Sequence, residues 1–122
     1  NVLCELPATF GNLSTLERVV LNNNRLLQLP SSFCKLSALK VAHIVGNRLS
    51  ELPAEFSELQ SLQWLYLNDN SLRALPESFG HLPALERLYL KSNSLADLPE
   101  SFAALSTLQR LDLELNELDS VP

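Results

Sequence analysis

The sequence repeats itself every 23 residues, and this period constrains the fold more than any other feature. The repeated residues are Asn1, Asn24, Asn47, Asn70, Asn93 and Asn116, Pro7, Pro30, Pro53, Pro76, Pro99 and Pro122, and Phe10, Phe33, Phe56, Phe79 and Phe102. A unit of this length is too small to bury its own leucines, so neighbouring units must stack and share one core. The period therefore predicts a solenoid rather than a globule.

The unit reads L-x-x-L-x-L-x-x-N-x-L-x-x-L-P-x-x-F-x-x-L-x-x. Its L-x-L alternation has a period of two, which is typical of a β-strand. Proline ends the strand because it donates no ladder hydrogen bond, and F-x-x-L fits one helical or 3₁₀ turn. We expect residues 1–122 to form one domain and to be a fragment of a longer protein. The domain comprises four full units and two partial ones, at 16–38, 39–61, 62–84, 85–107, 1–15 and 108–122.

The first half of the unit, LxxLxLxxNxL, resembles the leucine-rich repeat. The second half, LPxxFxxL, is similar to the 23-residue class found in intracellular scaffolds such as Scribble and Erbin, and it lacks the GxIP half of the plant receptor class. The resemblance implies an α/β fold: a right-handed solenoid with a parallel β-sheet on its concave face and short helical or 3₁₀ segments on its convex face. It also implies a cytoplasmic signalling scaffold that binds other proteins.

Charge and the distribution of apolar residues argue against two classes of partner. A formal net charge of -5 and a pI near 4.9 disfavour nucleic acid. No apolar run approaches the roughly 20 residues that a membrane helix needs. At unit positions 2, 3, 5, 7 and 8, which we predict to point outward, five acidic and five basic side chains balance, so the negative charge lies elsewhere on the surface. We therefore expect neither nucleic acid nor membrane as a partner.

The sequence offers no constellation for catalysis or metal binding. Cys4 and Cys34 lack metal-ligand spacing, and Cys34 occupies a unit position where every residue is small, which predicts a buried packing role. His43 and Asp112 share a predicted row but lie three strands apart, about 14 Å. Three glycines are too few for a phosphate-binding loop. We expect no enzymatic activity, no cofactor and no metal, and we assign the repeated asparagines and phenylalanines to structure.

Positions 3, 5 and 7 of each unit are predicted to point away from the leucine core, and we call this surface the strand face. Its row 3 comprises Arg18, Val41, Trp64, Arg87 and Arg110; its row 5 comprises Val20, His43, Tyr66, Tyr89 and Asp112; its row 7 comprises Asn22, Val45, Asn68, Lys91 and Glu114. Parallel stacking places neighbours in one row about 4.8 Å apart. The chain's single tryptophan is therefore expected on a surface row, not in the core.

Six residues of the strand face form what we call the aromatic patch: Val41, His43, Val45, Trp64, Tyr66 and Tyr89. Tryptophan, tyrosine and arginine are enriched at binding hot spots. We predict that the patch binds a protein partner, with Trp64 as its anchor and Arg18, Arg87 and Arg110 at its rim. Stacking along the ladder explains Tyr66 and Tyr89 equally well, and Arg87 could simply cover the Trp64 ring through a cation–π contact.

The leading function is thus a protein-binding module. One alternative is a regulatory repeat region of a larger signalling enzyme, such as a kinase, GTPase or ubiquitin ligase. Another is an extracellular recognition domain, which a glycan on the acceptor pattern Asn12-Leu13-Ser14 would favour. The chain carries no recognisable capping repeat, which predicts that the natural protein continues on both sides or that uncapped ends self-associate.

Overall fold

The structure is a computed structural model that describes residues 3–119. Short parallel strands alternate with 3₁₀ helices along this range. The strands are β1 (Arg18–Val20), β2 (Val41–His43), β3 (Trp64–Tyr66), β4 (Arg87–Tyr89) and β5 (Arg110–Asp112), and the 3₁₀ helices are η1 (Phe10–Asn12), η2 (Ser31–Lys35), η3 (Phe56–Glu58), η4 (Phe79–His81) and η5 (Glu100–Ala104). The predicted solenoid with a parallel sheet is confirmed, and the helical segments in the described part of the chain take the 3₁₀ form.

The strands form one sheet in the order of the chain, β1 to β5, and every neighbouring pair is parallel. Their register advances by one full unit at each step. Trp64 pairs with Val41 on one side and with Arg87 on the other, and Tyr66 pairs with His43 and Tyr89. Because all units have the same length, equivalent positions meet across every strand pair, as the rows of the strand face require.

The leucines of the strands fill the core. Leu62, Leu65 and Leu67 are completely buried, and so is Ala42, which occupies a position held by leucine in other units. Cys34 is also buried, as its small-residue position predicts. Burial raises the pKa of the Cys34 thiol to about 12, with a further contribution from nearby Glu55 and Glu58. Cys34 is therefore a protonated packing residue.

The repeated asparagines tie each unit to the one before it. Asn93 is buried, and its side-chain oxygen accepts the Leu72 N–H at 3.1 Å. Its amide nitrogen donates to the Leu67 and Leu90 carbonyls, each at 3.0 Å. Asn47 repeats this pattern two units earlier: its side-chain oxygen accepts the N–H of Leu26, in the preceding unit, and its amide nitrogen donates to the Leu21 carbonyl. The asparagine column satisfies backbone groups that the turns leave without partners, which confirms its structural role.

The repeated phenylalanines make a second ladder behind the sheet. Ring centroids are 5.9 Å apart between Phe10 and Phe33, 6.5 Å between Phe33 and Phe56, 5.9 Å between Phe56 and Phe79, and 6.4 Å between Phe79 and Phe102. These spacings exceed the roughly 4.8 Å between hydrogen-bonded strands. Because the phenylalanine side of each unit is wider than the strand side, the stack bends toward the sheet, which lies on the concave face.

Truncating the phenylalanine ladder tests this packing. Phe79→Ala removes a completely buried ring and should lower the free energy of unfolding by about 3–5 kcal/mol, measured by chemical denaturation. Trp64→Ala, on the strand face, should cost clearly less. Equal losses for the two variants would contradict the outward placement of Trp64.

The asparagine ladder is tested by Asn93→Ala. This substitution leaves buried backbone groups of two units without partners, so the free energy of unfolding should fall by at least about 2 kcal/mol. Asn12→Ala is a matched control, because Asn12 is exposed and lies outside the ladder. A loss for Asn93→Ala as small as that for Asn12→Ala would show that water replaces the asparagine at little cost.

Candidate functional site

The strand face carries the aromatic patch in the predicted orientation. In β3, Leu65 is completely buried while Trp64 and Tyr66 on either side of it are partly exposed. The same alternation holds in β2, where Val41 and His43 flank buried Ala42. The patch is thus open to solvent from the side opposite the core. Its members are half-buried rather than fully exposed, because each side chain packs against its neighbours in the row.

Three rings of row 5 stack face to face. The His43 and Tyr66 centroids are 4.4 Å apart with an angle of 6° between ring planes, and those of Tyr66 and Tyr89 are 4.7 Å apart, also at 6°. These spacings match the distance between neighbouring strands, so the backbone ladder itself sets the stack. The predicted stacking of Tyr66 and Tyr89 is therefore confirmed, and it produces an ordered aromatic surface.

His43 ends this stack beside a cation. Its Nε2 atom lies 3.5 Å from a guanidinium nitrogen of Arg18 on β1. Burial lowers the pKa of His43, and the positive charge of Arg18 lowers it further. A neutral imidazole can accept a hydrogen bond from Arg18, whereas the imidazolium would face a like charge. The rim residue Arg18 is thereby linked to the aromatic patch.

Trp64 has one covered ring face and one orphaned polar atom. The Arg87 guanidinium carbon lies 4.5 Å from the centroid of the indole ring, which confirms the predicted cation–π contact. The indole Nε1 is buried and has no acceptor, and in row 7 the side-chain oxygen of Asn68 is buried without a donor. A buried polar group without a partner costs about 1–3 kcal/mol. Unmet hydrogen-bonding capacity therefore lies at the first residue of β3 and two residues after its end.

The remaining predicted residues lie at the margins of the face. Arg18 and Arg110 are exposed on the first and last strands, β1 and β5. Val45 follows β2, and its N–H donates to the Asn22 side-chain oxygen at 2.8 Å. The exposed ion pair between Lys91 and Glu114 spans 3.8 Å and contributes little to stability in water.

Sequence reasoning placed Val20 in row 5 but left it out of the aromatic patch. Val20, in row 5 beside His43, is 58% exposed, more than any member of the aromatic patch. Its row position was readable from the repeat. Its exposure was not readable from the repeat. It arises because, among the described residues, β1 has a neighbouring strand on one side only.

The described range holds neither a metal-ligand cluster nor a membrane-spanning helix. Residues 3–119 contain no group of three or more histidine, cysteine, aspartate or glutamate side chains that could hold a metal ion. Over the same residues, no helix has the length and apolarity needed to cross a bilayer.

Two family models match the sequence. One, described as Leucine rich repeat, matches residues 39–95, and a second, described as Leucine Rich Repeat, matches residues 15–36. Together they cover well over half of the chain, and the matched segments contain β1 to β4. The chain belongs to the leucine-rich repeat family. Among curated proteins, none matches the sequence significantly.

Several solved structures are similar to this one. A structure titled "Crystal structure of a TDR receptor" has a TM-score of 0.85 and 34% identity over 93% of this chain. The plant peptide hormone receptor RGFR1 in complex with RGF2 has a TM-score of 0.84 and 28% identity over 92%. The chain spans only 20% and 19% of those two receptor chains. A leucine-rich repeat protein of Leptospira interrogans, LIC12759, has a TM-score of 0.57 and 26% identity, with 97% of this chain and 42% of that one covered.

The linkage between His43 and Arg18 predicts a pH dependence of stability in this leucine-rich repeat chain. Because folding lowers the pKa of His43 below 6.5, the unfolded chain binds more protons as acid is added. The contribution of neutral His43 to the free energy of unfolding is therefore fully present above pH 6.5. It is lost as the pH falls from 6.5 through the lower pKa of His43 in the folded state.

Urea midpoints measured between about pH 7.5 and about pH 5 should therefore fall more for wild type than for His43→Gln. The control His81→Gln changes an exposed histidine outside the strand face and should follow wild type. Parallel pH profiles for wild type and His43→Gln would contradict the assignment.

Proposed function

We propose that this chain is a protein-interaction module that binds a protein partner on its concave strand face, with Trp64 as the central contact. Leucine-rich repeat domains are generally interaction modules rather than enzymes, and the fold supports that general role. The observation that carries the proposal is the solvent-facing stack of His43, Tyr66 and Tyr89 beside Trp64.

The energetics of such a surface favour binding. An aromatic side chain can bury 150–250 Å² on contact, and tryptophan, tyrosine and arginine dominate hot spots. The rings of row 5 are already held parallel by their neighbours, so a partner orders fewer side chains when it binds. Arg18, Arg87 and Arg110 would then form the polar rim, and Val41 and Val45 would extend the apolar contact.

A cytoplasmic scaffold is the setting we propose, and the LPxxFxxL half of the unit supports it through its resemblance to the Scribble and Erbin class. A role as the regulatory region of a larger signalling enzyme would use the same face. Fractionation of cells that express the full-length protein tests the location. Recovery of the protein only in the secreted fraction would contradict it.

A recognition region of a receptor is the second candidate. It is supported by the similarity to RGFR1 in complex with RGF2 and to the structure titled PEPR1-AtPEP1, which has 33% identity and a TM-score of 0.85 over 93% of this chain and 17% of that one. Asn12 and Ser14 of the glycosylation pattern are both exposed. A glycan at Asn12, detected as a mass shift that Asn12→Gln abolishes, would favour this candidate over the scaffold.

Self-association through the ends stays a prediction. Leu111 and Leu115, on and after β5, are 39% and 70% exposed, and Leu3 and Leu13 at the opposite end are 47% and 48% exposed. Sedimentation at increasing protein concentration tests it, and a constant monomer mass would contradict it.

The binding proposal is tested with Trp64→Ala. A partner captured with the wild-type chain should lose at least about 2 kcal/mol of binding free energy, a roughly thirtyfold weaker Kd. Leu27→Ala is the matched control, because Leu27 is an apolar residue that is 60% exposed and lies outside the strand face. Unchanged affinity for Trp64→Ala, or an equal loss for Leu27→Ala, would contradict a site centred on Trp64.

A further inference from the structure

Row 3 of the strand face contains two adjacent arginines without a counter-ion. Arg87 on β4 and Arg110 on β5 are direct partners in the sheet register, so their backbones lie about 4.8 Å apart. Within residues 3–119, neither guanidinium lies within 4.0 Å of a carboxylate or makes a hydrogen bond. Like charges on facing positions of neighbouring strands are unfavourable. The pair therefore holds positive charge that the described part of the protein does not neutralise.

The carboxylates nearest in the sequence are engaged elsewhere or out of reach. Asp112, two residues after Arg110, accepts the Glu114 N–H at 3.1 Å. Glu114 pairs with Lys91 at 3.8 Å. Glu86 precedes Arg87 but forms no ion pair with it under the same 4.0 Å limit. Local compensation is thus absent, and rows 3, 5 and 7 together carry four basic side chains against two acidic ones.

Trp64 adds a third unmatched donor to the same row. Its Nε1–H is buried without an acceptor, and the Arg87 guanidinium lies on its ring. Trp64, Arg87 and Arg110 are consecutive members of row 3. Three neighbouring side chains of this row therefore carry hydrogen-bond donors without acceptors. A carboxylate supplies two acceptor oxygens with the geometry that guanidinium groups bind best.

We propose that the partner presents an aspartate or glutamate side chain to Arg87 and Arg110, next to an apolar residue that packs on Trp64 and Tyr89. This inference rests on the proposed function and names the chemistry of the partner. The chain's net charge of -5 disfavours a long acidic tract. The occupant is therefore an extended protein segment with one or two carboxylates set among apolar side chains.

A displayed library of random twelve-residue peptides is the probe, selected on the wild-type chain and screened for binders that Trp64→Ala loses. Acidic residues should be enriched beside aromatic or aliphatic ones in these peptides. The best peptide and its version with glutamine in place of the acidic residue are then titrated against wild type and Arg87→Gln/Arg110→Gln. Arg73→Gln is the matched control, because Arg73 is exposed and lies off the strand face.

On wild type, the glutamine peptide should bind about tenfold more weakly than the acidic one, as a lost charge-assisted contact would produce. On the double variant, the two peptides should bind alike, whereas Arg73→Gln should keep the tenfold difference. Thermal unfolding of each variant confirms that the fold is retained.

Three outcomes overturn the inference. Trp64-dependent peptides without acidic enrichment, or a tenfold difference that survives in the double variant, would remove the carboxylate while leaving the proposed function intact. A phosphoserine version that binds far more tightly than the acidic peptide would reassign the pair to phosphate. Peptides that all bind independently of Trp64 would instead contradict the proposed function itself.

Discussion

The whole structure depends on parallel backbone pairing between units of identical length. Each strand is only three residues long, so no strand could form alone and each must be held by its neighbours. Asparagine side chains such as Asn47 and Asn93 extend this pairing into the turns, where they replace backbone partners that a regular sheet would supply. Stability in such an array is approximately a sum of unit and interface terms. A destabilising substitution in one unit therefore weakens mainly that unit and its contacts with the neighbouring units.

The same pairing explains why the sequence predicts so much of the site. A constant period means that register follows directly from residue number, so the rows containing Trp64, Tyr66 and Tyr89 could be written down in advance. Alternation with buried leucines then determines which side these aromatics face. The 3₁₀ form of the connecting segments was one of two geometries that the F-x-x-L spacing allowed.

Other features of the site lay beyond the sequence because they depend on side-chain rotamers. The sequence does not give the side-chain conformations of Trp64 and Arg87, so it could not predict that the indole nitrogen is buried or that the guanidinium lies on the ring. The approach of Arg18 to His43 likewise depends on the orientation of the imidazole ring. The exposure of Val20 follows from its place on β1 rather than from its position in the unit. Pattern reasoning thus locates surface residues in rows, while the hydrogen-bond deficits that distinguish one row from another need coordinates.

The setting of the single tryptophan gives the protein an intrinsic optical reporter. Trp64 lies at the middle strand of the sheet with a guanidinium against its ring and two tyrosines in the adjoining row. Any molecule that seats on this surface must alter the polarity and quenching around that indole. Occupancy can therefore be followed through native fluorescence, without attaching a dye to the surface being measured.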